Sequence, residues 1–385
     1  MSFVVPDYDG GSIANIYETV LENFGLSGSR KPLKRDVQKS DRFVLVIFDA
    51  FGQRTLEKGI ERGFINRRIL SSFRAETITS IFPSTTACAM LSFYTGLTPG
   101  EHGVMGFTTY IKELGTIVNM LNLSHPSQEA PLPLIYQNFT SYISDKAVPI
   151  GDHLSRAGIP AYSILPASIS ELPTTQFHHR NMQRIKYYYP WDAFQLMRKE
   201  LLENERVFVN VYIPTVDTLS HHYGPFTPEA LSSAADLLEL LLRSLDGIKG
   251  VSLLLTADHG QTDNNVSHVV DQELMDGLLL PPWGDSRAAF MKVKDENSIR
   301  RYFEEKLKGF EVFSKEEYLK MGVLGEVDQR FQDRLGDLLA VPHIPESLIY
   351  SYRGPENDRD YINFKGHHGG LTEEEQIVPL LIYER

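Results

Sequence analysis

Acidic residues follow two apolar runs that have the composition of buried strands. Asp49 ends the run FVLVIF, and Asp258 with His259 comes directly after VSLLLTA. Side chains that alternate along a strand can converge where the backbone turns at its end. Carboxylate oxygens and imidazole nitrogens gathered in this way can bind a divalent cation, although a strand-terminal aspartate alone more often only caps a turn.

Histidines occur in two further patterns. In DTLSHHYGP, Asp217 and His221 are four positions apart, so in a helical turn they share one face, as two ligands of one ion would. The alternative is a helix start with solvated histidines. In KGHHGG, glycines flank His367 and His368 and would let the backbone approach a ligand closely. Oxygen and imidazole ligands favour zinc, with manganese or iron as alternatives, over calcium or magnesium.

A run of hydroxyl side chains precedes small residues in IFPSTTACAM. Ser84, Thr85 and Thr86 are predicted to lie at the start of a helix, where free N–H groups and the helix dipole favour an anion. The alternative is an ordinary Ser/Thr cap. Combined with the carboxylates and histidines, these hydroxyls predict a site that holds two cations and a phosphate.

The elements that would position these residues resemble one another. Continuous apolar runs in FVLVIFDAFG, RVFVNVYIPTVD and VSLLLTADHG are typical of strands buried on both faces of a parallel sheet. Helical patterns lie between them, so we predict an α/β fold with a doubly wound, mostly parallel central sheet and helices on both faces. Ligands bind such sheets at the carboxyl ends of the strands, where the acidic residues lie.

The pattern changes to an alternation of short strands and helices over 286–350. We predict a small inserted α+β lid subdomain there, and a core domain made of 1–285 and 351–385, which ends in the strand IVPLLIYER. Residues 105–145 are long and rich in loops. We expect substrate specificity to lie in these loops and in the insertion.

The composition excludes several classes of partner. A net charge of −12 over 385 residues argues against duplex nucleic acid. The single cysteine, Cys88, excludes an intrachain disulfide and a thiolate metal cage. No stretch reaches the roughly 18 apolar residues of a membrane span, and no secretion signal is recognised, so we predict a cytoplasmic protein that acts on a small phosphorylated substrate.

Five blocks of the sequence, taken in order, resemble one known family. They are FDAFG, FPSTTA with TGLTPGEHGV, DTLSHHYGP, TADHG and HHGGLTEEEQIVPL, and they extend over nearly the whole chain. The set resembles the alkaline phosphatase superfamily, and within it the type I phosphodiesterase/nucleotide pyrophosphatase family. Five blocks in the family's order are far more specific than any one of them.

The resemblance implies two divalent metal ions and their ligands. The ligands are Asp49, Asp258, His259 and the Thr86 oxygen for one ion, and Asp217, His221 and His368 for the other. In the family the histidine ligand directly precedes glycine, which selects His368 over His367. The family's nucleophile lies nine positions before a Thr-Gly pair, here Thr95-Gly96, which selects Thr86, with Ser84 and Thr85 as alternatives.

The implied activity is metal-dependent hydrolysis of a phosphodiester or nucleotide pyrophosphate bond through a covalent phosphothreonine on Thr86. Alternatives on the same core are a phosphate monoesterase or a phosphomutase-type transferase, or a metal-binding protein without activity. A monoesterase needs a cationic clamp, for which Arg287, Lys365 and 180–186 are the candidates. Phe107 stands where the pyrophosphatases carry a phosphate-contacting Asn, and Cys88 lacks the sulfatase pattern x-Pro-x-Arg after it.

Overall fold

A seven-stranded sheet forms the centre of the computed structural model, which describes residues 3–28 and 30–385. In order across the sheet, the strands are β2 (Arg74–Thr79), β17 (Ile377–Glu384), β8 (Val251–Thr256), β1 (Arg42–Phe48), β7 (Val207–Ile213), β5 (Ala161–Pro166) and β6 (Gln183–Tyr187). From β8 to β6 the strands run parallel, whereas β17 is antiparallel to both of its neighbours.

The inner strands explain why the apolar runs are continuous. Every residue of β7 and β8 is buried, and so are all residues of β1 except Arg42 at its start. Helices cover both faces of the sheet, as the sequence predicted, so neither face has a polar alternation. The helices are α1 (Ile16–Asn23), α2 (Gln53–Glu61), α3 (Arg67–Leu70), α4 (Thr86–Thr95), α5 (Pro99–His102), α6 (Pro133–Gln137), α7 (Ile150–Arg156), α8 (Pro173–His178), α9 (Pro190–Glu203), α10 (Thr215–Tyr223), α11 (Pro228–Leu245), α12 (Gln272–Asp276), α13 (Glu296–Lys306), α14 (Lys315–Met321), α15 (Arg359–Ile362) and α16 (Glu373–Gln376).

A second sheet has six strands. In order they are β13 (Phe310–Ser314), β14 (Leu338–Pro342), β12 (Ala288–Met291), β11 (Trp283–Asp285), β3 (Thr108–Ile111) and β4 (Thr116–Asn119). Two short ladders join β9 (Thr262–Asp263) to β16 (Gly366–His367) and β10 (Val266–Val269) to β15 (Glu346–Ile349). The six-stranded sheet therefore combines strands from 286–350 with strands that lie before that stretch. The division of the chain into a core and an inserted lid at 286–350 stays a prediction.

No helix in the described part of the chain combines the length and the apolar sequence that a membrane crossing requires. The cytoplasmic location stays a prediction.

Two buried histidines lie behind α4, away from the strand ends. His178 stacks on Tyr94 with 5.9 Å between ring centroids, and His102 lies 3.4 Å from the Ser92 hydroxyl through its Nε2. Burial lowers the pKa of each histidine from 6.5 to about 3. Both imidazoles are therefore neutral in the folded protein at pH values where the unfolded chain protonates them.

The His178→Phe variant is expected to tolerate acid better than the natural protein. A depressed histidine pKa gives stability that is complete above the unfolded value and is lost as pH falls below it, by about 2 kcal/mol per histidine at pH 5. Phenylalanine preserves the stack on Tyr94 and cannot take up a proton. Urea unfolding at pH 7 and pH 5 measures this, and an equal pH-dependent loss in both proteins would contradict it.

Candidate metal centre

Three adjacent parallel strands bring the predicted acidic residues to one edge of the sheet. Asp49 follows β1, and Asp258 with His259 follows β8. Beyond the end of β7 the chain enters α10, which carries Asp217 in its first turn. Because β8, β1 and β7 pair in parallel, their carboxyl ends meet, as the sequence predicted for a ligand site.

Two groups of ligand atoms form at this edge, each within 4.8 Å, and they share Asp217. In the first group, Asp217 Oδ1 lies 3.2 Å from His221 Nε2 and 3.9 Å from His368 Nε2. In the second, Asp217 joins Asp49 and His259, whose Nε2 lies 3.5 Å from Asp49 Oδ1. The shared carboxylate suits two neighbouring cations.

Asp258 and Thr86 complete the second group. Asp258 Oδ1 accepts hydrogen bonds from the backbone N–H groups of Ala50 and His259, while Oδ2 lies 3.4 Å from His259 Nε2. Thr86, the first residue of α4, places Oγ1 3.3 Å from the same Nε2. A threonine hydroxyl therefore adjoins the group at the amino end of a helix.

Backbone carbonyls orient the three histidines. Nδ1 of His221 lies 2.8 Å from the Gly366 oxygen, Nδ1 of His259 lies 3.0 Å from the Gly260 oxygen, and Nδ1 of His368 lies 3.0 Å from the Ser84 oxygen. A carbonyl accepts only, so Nδ1 of His259 and Nδ1 of His368 carry the proton and their Nε2 atoms are left with a free lone pair. Metal-ligating histidines commonly have this arrangement. Nδ1 of His221 also lies 2.9 Å from Nε2 of Gln261.

The donor set fits divalent cations. Asp49 Oδ1, Asp217 Oδ1 and Asp258 Oδ2 are buried without a hydrogen-bond partner, and in the described chain these carboxylates form salt bridges only with histidines. Burial, followed by the charges of Asp258 and Asp217, raises the pKa of Asp49 well above its ordinary value. Buried carboxylates so close together need a compensating positive charge, and oxygen with imidazole donors suits zinc, manganese or iron.

The alternative residues that the patterns left open have different surroundings, and Thr85 stays an alternative to Thr86. Ser84 Oγ is occupied, because it donates to the Gly370 carbonyl at 2.9 Å. His367 turns away to the Ser286 hydroxyl, 2.9 Å from its Nδ1, whereas the His368 ring stacks on His259 at 3.9 Å. Thr86 and His368 therefore lie with the other predicted ligands.

Two side chains near the site were not predicted. The hydroxyl of Tyr212, in β7, donates to Asp49 Oδ2. Asp285, at the end of β11, packs against Gly369, whose φ of +114° favours glycine and where a Cβ atom would lie 2.6 Å from the Asp285 Cβ. A tyrosine within an apolar strand has the pattern of a core residue, and nothing in the sequence connects Asp285 to the strand ends.

The Tyr212→Phe variant is expected to weaken divalent-ion binding about 10- to 100-fold, as loss of a hydrogen bond to a metal ligand typically does. The ring and its packing are unchanged, so only the contact to Asp49 is lost. Titration of zinc or manganese into dialysed protein measures the affinity. An affinity equal to that of the natural protein would show that the hydroxyl does not orient the carboxylate.

Comparisons with known proteins give one family and one fold. A family model described as type I phosphodiesterase / nucleotide pyrophosphatase matches residues 43–371. No curated protein sequence matched the chain.

Among solved structures, the murine ectonucleotide pyrophosphatase/phosphodiesterase 5 is similar with a TM-score of 0.61 and 18% identity, over 89% of this chain and 88% of that one. Its human counterpart gives 0.61 and 19%, over 88% and 87% of the two chains. Phosphonoacetate hydrolase from Sinorhizobium meliloti, in complex with phosphonoacetate, gives 0.65 and 18%, over 91% and 92%. At these identities the likeness shows the fold.

Proposed function

This chain belongs to the type I phosphodiesterase/nucleotide pyrophosphatase family of the alkaline phosphatase superfamily, and is thus a phosphoric ester hydrolase; we propose that it cleaves a phosphodiester or nucleotide pyrophosphate bond by transfer to Thr86. The observation that carries the proposal is the Thr86 hydroxyl, 3.3 Å from His259 Nε2 at the amino end of α4. It adjoins the three carboxylates and three histidines that we propose as ligands of two divalent ions, with zinc favoured and manganese or iron as alternatives.

Each residue has a distinct task in this proposal. One ion would be held by Asp49, Asp258, His259 and Thr86, and the other by Asp217, His221 and His368. Asp217 also belongs to the group of Asp49 and His259, so it would contribute to both ions. Bound divalent cations lower the pKa of a hydroxyl and offset negative charge on phosphoryl oxygens. The N–H groups in the first turn of α4 are directed at the same place and stabilise that charge further.

Transfer then takes two steps. Thr86 Oγ1 forms a bond to phosphorus as the ester bond to the leaving alcohol or phosphate breaks, and the leaving oxygen takes up a proton. Water next attacks the phosphothreonine, which restores the Thr86 hydroxyl and releases the product. Thr86 is suited to this role because its hydroxyl is half-buried and has no partner other than the His259 ring among the contacts of the described chain.

Two of the three cationic candidates for a monoester clamp are already paired, whereas Lys365 forms no salt bridge in the described chain. Arg287 is fully committed, since its guanidinium pairs with Glu375 at 2.8 Å and donates to the carbonyls of Ile344 and Glu346. In the 180–186 segment, Arg180 pairs with Asp152 and Lys186 with Glu171, so neither is free to clamp a dianionic phosphate.

The name of a structural neighbour supports a phosphodiester or pyrophosphate substrate. The murine neighbour is a nucleotide pyrophosphatase/phosphodiesterase, and a variant of it with threonine replaced by alanine is described as inactive and in complex with AMP. Its threonine dependence supports a threonine nucleophile in this chain as well.

Bis(p-nitrophenyl) phosphate is expected to be hydrolysed faster than p-nitrophenyl phosphate by dialysed protein supplied with zinc or manganese. EDTA should stop the release of p-nitrophenol, and excess metal should restore it. A faster rate on the monoester would support the monoesterase alternative. Failure to hydrolyse either ester with any of the metals would contradict the proposed function.

A further inference from the structure

A buried glutamine connects the two groups of proposed ligands. Gln261 comes two positions after His259 in the chain, and only 1% of its surface is exposed. Its side chain reaches His221 on α10, whose Nδ1 lies 2.9 Å from the Gln261 Nε2. The segment that carries a ligand of one group therefore contacts a ligand of the other group directly.

The close approach of Gln261 to His221 depends on Gly366. A Cβ atom at position 366 would lie 3.2 Å from the Gln261 Cδ and 2.6 Å from the Ser220 carbonyl oxygen. A side chain there would displace the amide or the helix carbonyl. The face of the His221 ring packs against Phe364, with centroids 4.6 Å apart, so the imidazole is held on its face as well as at its edge.

Two groups make opposite demands on the Nδ1 atom of His221. The Gly366 carbonyl oxygen lies 2.8 Å from Nδ1 and only accepts, so it requires a hydrogen on that nitrogen. The Gln261 Nε2 is an amide nitrogen and only donates, so it requires a lone pair on the same atom. A ring nitrogen offers one or the other. Both contacts cannot be hydrogen bonds at the same time with the amide in this orientation.

A rotation of the amide resolves the conflict. A 180° turn about the Gln261 Cγ–Cδ bond exchanges nitrogen and oxygen without changing the shape of the side chain. The amide oxygen then accepts the Nδ1 hydrogen together with the Gly366 carbonyl, as a three-centre hydrogen bond. With the nitrogen toward His221, in contrast, Oε1 is buried and has no hydrogen-bond partner among the described residues, so no such bond holds the amide in that orientation.

We propose that Gln261 is a positioning residue for His221. Its amide oxygen shares the Nδ1 proton with the Gly366 carbonyl, so that Nε2, which lies 3.2 Å from Asp217 Oδ1, keeps its lone pair for a divalent ion. Acceptors behind an imidazole fix its tautomer and raise its basicity as a ligand. The inference rests on the proposed function and adds a positioning residue to its metal centre.

Gln261→Met removes the hydrogen bond with little change in length, because a thioether is a much weaker acceptor than an amide oxygen. We expect the zinc ion near His221 to bind about 10- to 100-fold more weakly, the usual loss when a contact behind a histidine ligand is removed. The ion near His259 should be retained. Competition with a zinc-binding dye measures the affinities, and elemental analysis after dialysis counts the ions.

Gln261→Glu separates the two orientations of the amide. An ionised carboxylate only accepts, so at pH 8 it replaces the amide oxygen but not the amide nitrogen. We expect this variant to bind both ions at least as tightly as the natural protein, since carboxylates often accept from histidine ligands. A loss as large as that in Gln261→Met would show that the amide donates, and would overturn the proposal.

The exposed Gln272 on α12 provides the matched control. Gln272→Met and Gln272→Glu make the same two chemical changes away from the strand ends and should leave the affinity for both ions unchanged. A measurement on the natural protein does not depend on whether the Gln261 variants fold. Long-range ¹H–¹⁵N spectra of the zinc-loaded protein, with His221 assigned by substitution, should show a protonated Nδ1, and an unprotonated Nδ1 would overturn the proposal.

Zinc binding separates this inference from the proposed function. Two ions bound with equal affinity by the natural protein and by Gln261→Met would overturn the inference and leave the proposed function intact. A natural protein that binds no zinc and hydrolyses no phosphodiester with any of the metals would contradict the proposed function itself.

Discussion

Thr86→Ala is expected to lower kcat by at least about 1,000-fold on every phosphodiester, because it removes the atom that forms the bond to phosphorus. The fold should survive, since Thr86 is half-buried and its hydroxyl has one hydrogen-bond contact within the described chain, at 3.3 Å to His259. Metal content should fall little, because the proposed ions retain three other side chains apiece. Steady-state rates on bis(p-nitrophenyl) phosphate, with elemental analysis of the same samples, measure both quantities.

Two further variants make this result specific. Thr86→Ser preserves a hydroxyl at the same place and should retain measurable turnover with a trapped phosphoserine after acid quenching. Ser84→Ala removes a hydroxyl that already donates to the Gly370 carbonyl, so its effect should be small. A Thr86→Ala protein that keeps its activity, or a Ser84→Ala protein that loses it, would place the nucleophile elsewhere.

The sheet was predictable because its sequence signal is local. The apolar runs before Asp49, Asp217 and Asp258 are long enough to show strands buried on both faces, and parallel pairing then brings their ends to one edge. No long-range information was needed to expect those residues together. The family likeness, drawn from the sequence, agreed with the matched family model.

The residue pattern alone could not tell whether His367 or His368 is the predicted metal ligand; that choice needed the family resemblance or the three-dimensional structure. Adjacent side chains in an extended segment point to opposite sides, and β16 ends at His367. His367 is therefore directed to Ser286, and His368 to Asp217. The residue pattern alone predicts the alternation but gives no sign of which of the two histidines faces the carboxylates at the strand ends.

Tyr212 and Asp285 show why the rest could not be predicted. The Tyr212 hydroxyl reaches Asp49 across two neighbouring strands that are separated by more than 150 positions in the chain. Asp285 belongs to a different sheet, and it approaches Thr85 only because Gly369 allows close packing. Both contacts depend on how distant segments pack, which has no local pattern in sequence.

Asp217→Asn is expected to weaken the binding of both divalent ions, unlike any other single substitution in the site. Asp217 belongs to both groups of ligand atoms, and its Oδ1 faces His221 and His368 from the first turn of α10. An amide in place of the carboxylate leaves the shape unchanged but removes the negative charge between the two ions. We expect a loss of at least about 100-fold in kcat/KM, the upper range for changes beside a metal, with less than one ion bound per chain.

The number of ions that each variant retains distinguishes a shared ligand from a ligand of one ion. Asp49→Asn should release chiefly the ion near His259, and His368→Ala chiefly the ion near His221, so each should retain close to one ion per chain after dialysis. Asp236→Asn, an exposed position on α11, is the control that should retain both. If Asp217→Asn instead behaved like Asp49→Asn and kept one ion, Asp217 would serve one ion alone and the two groups would not share a ligand.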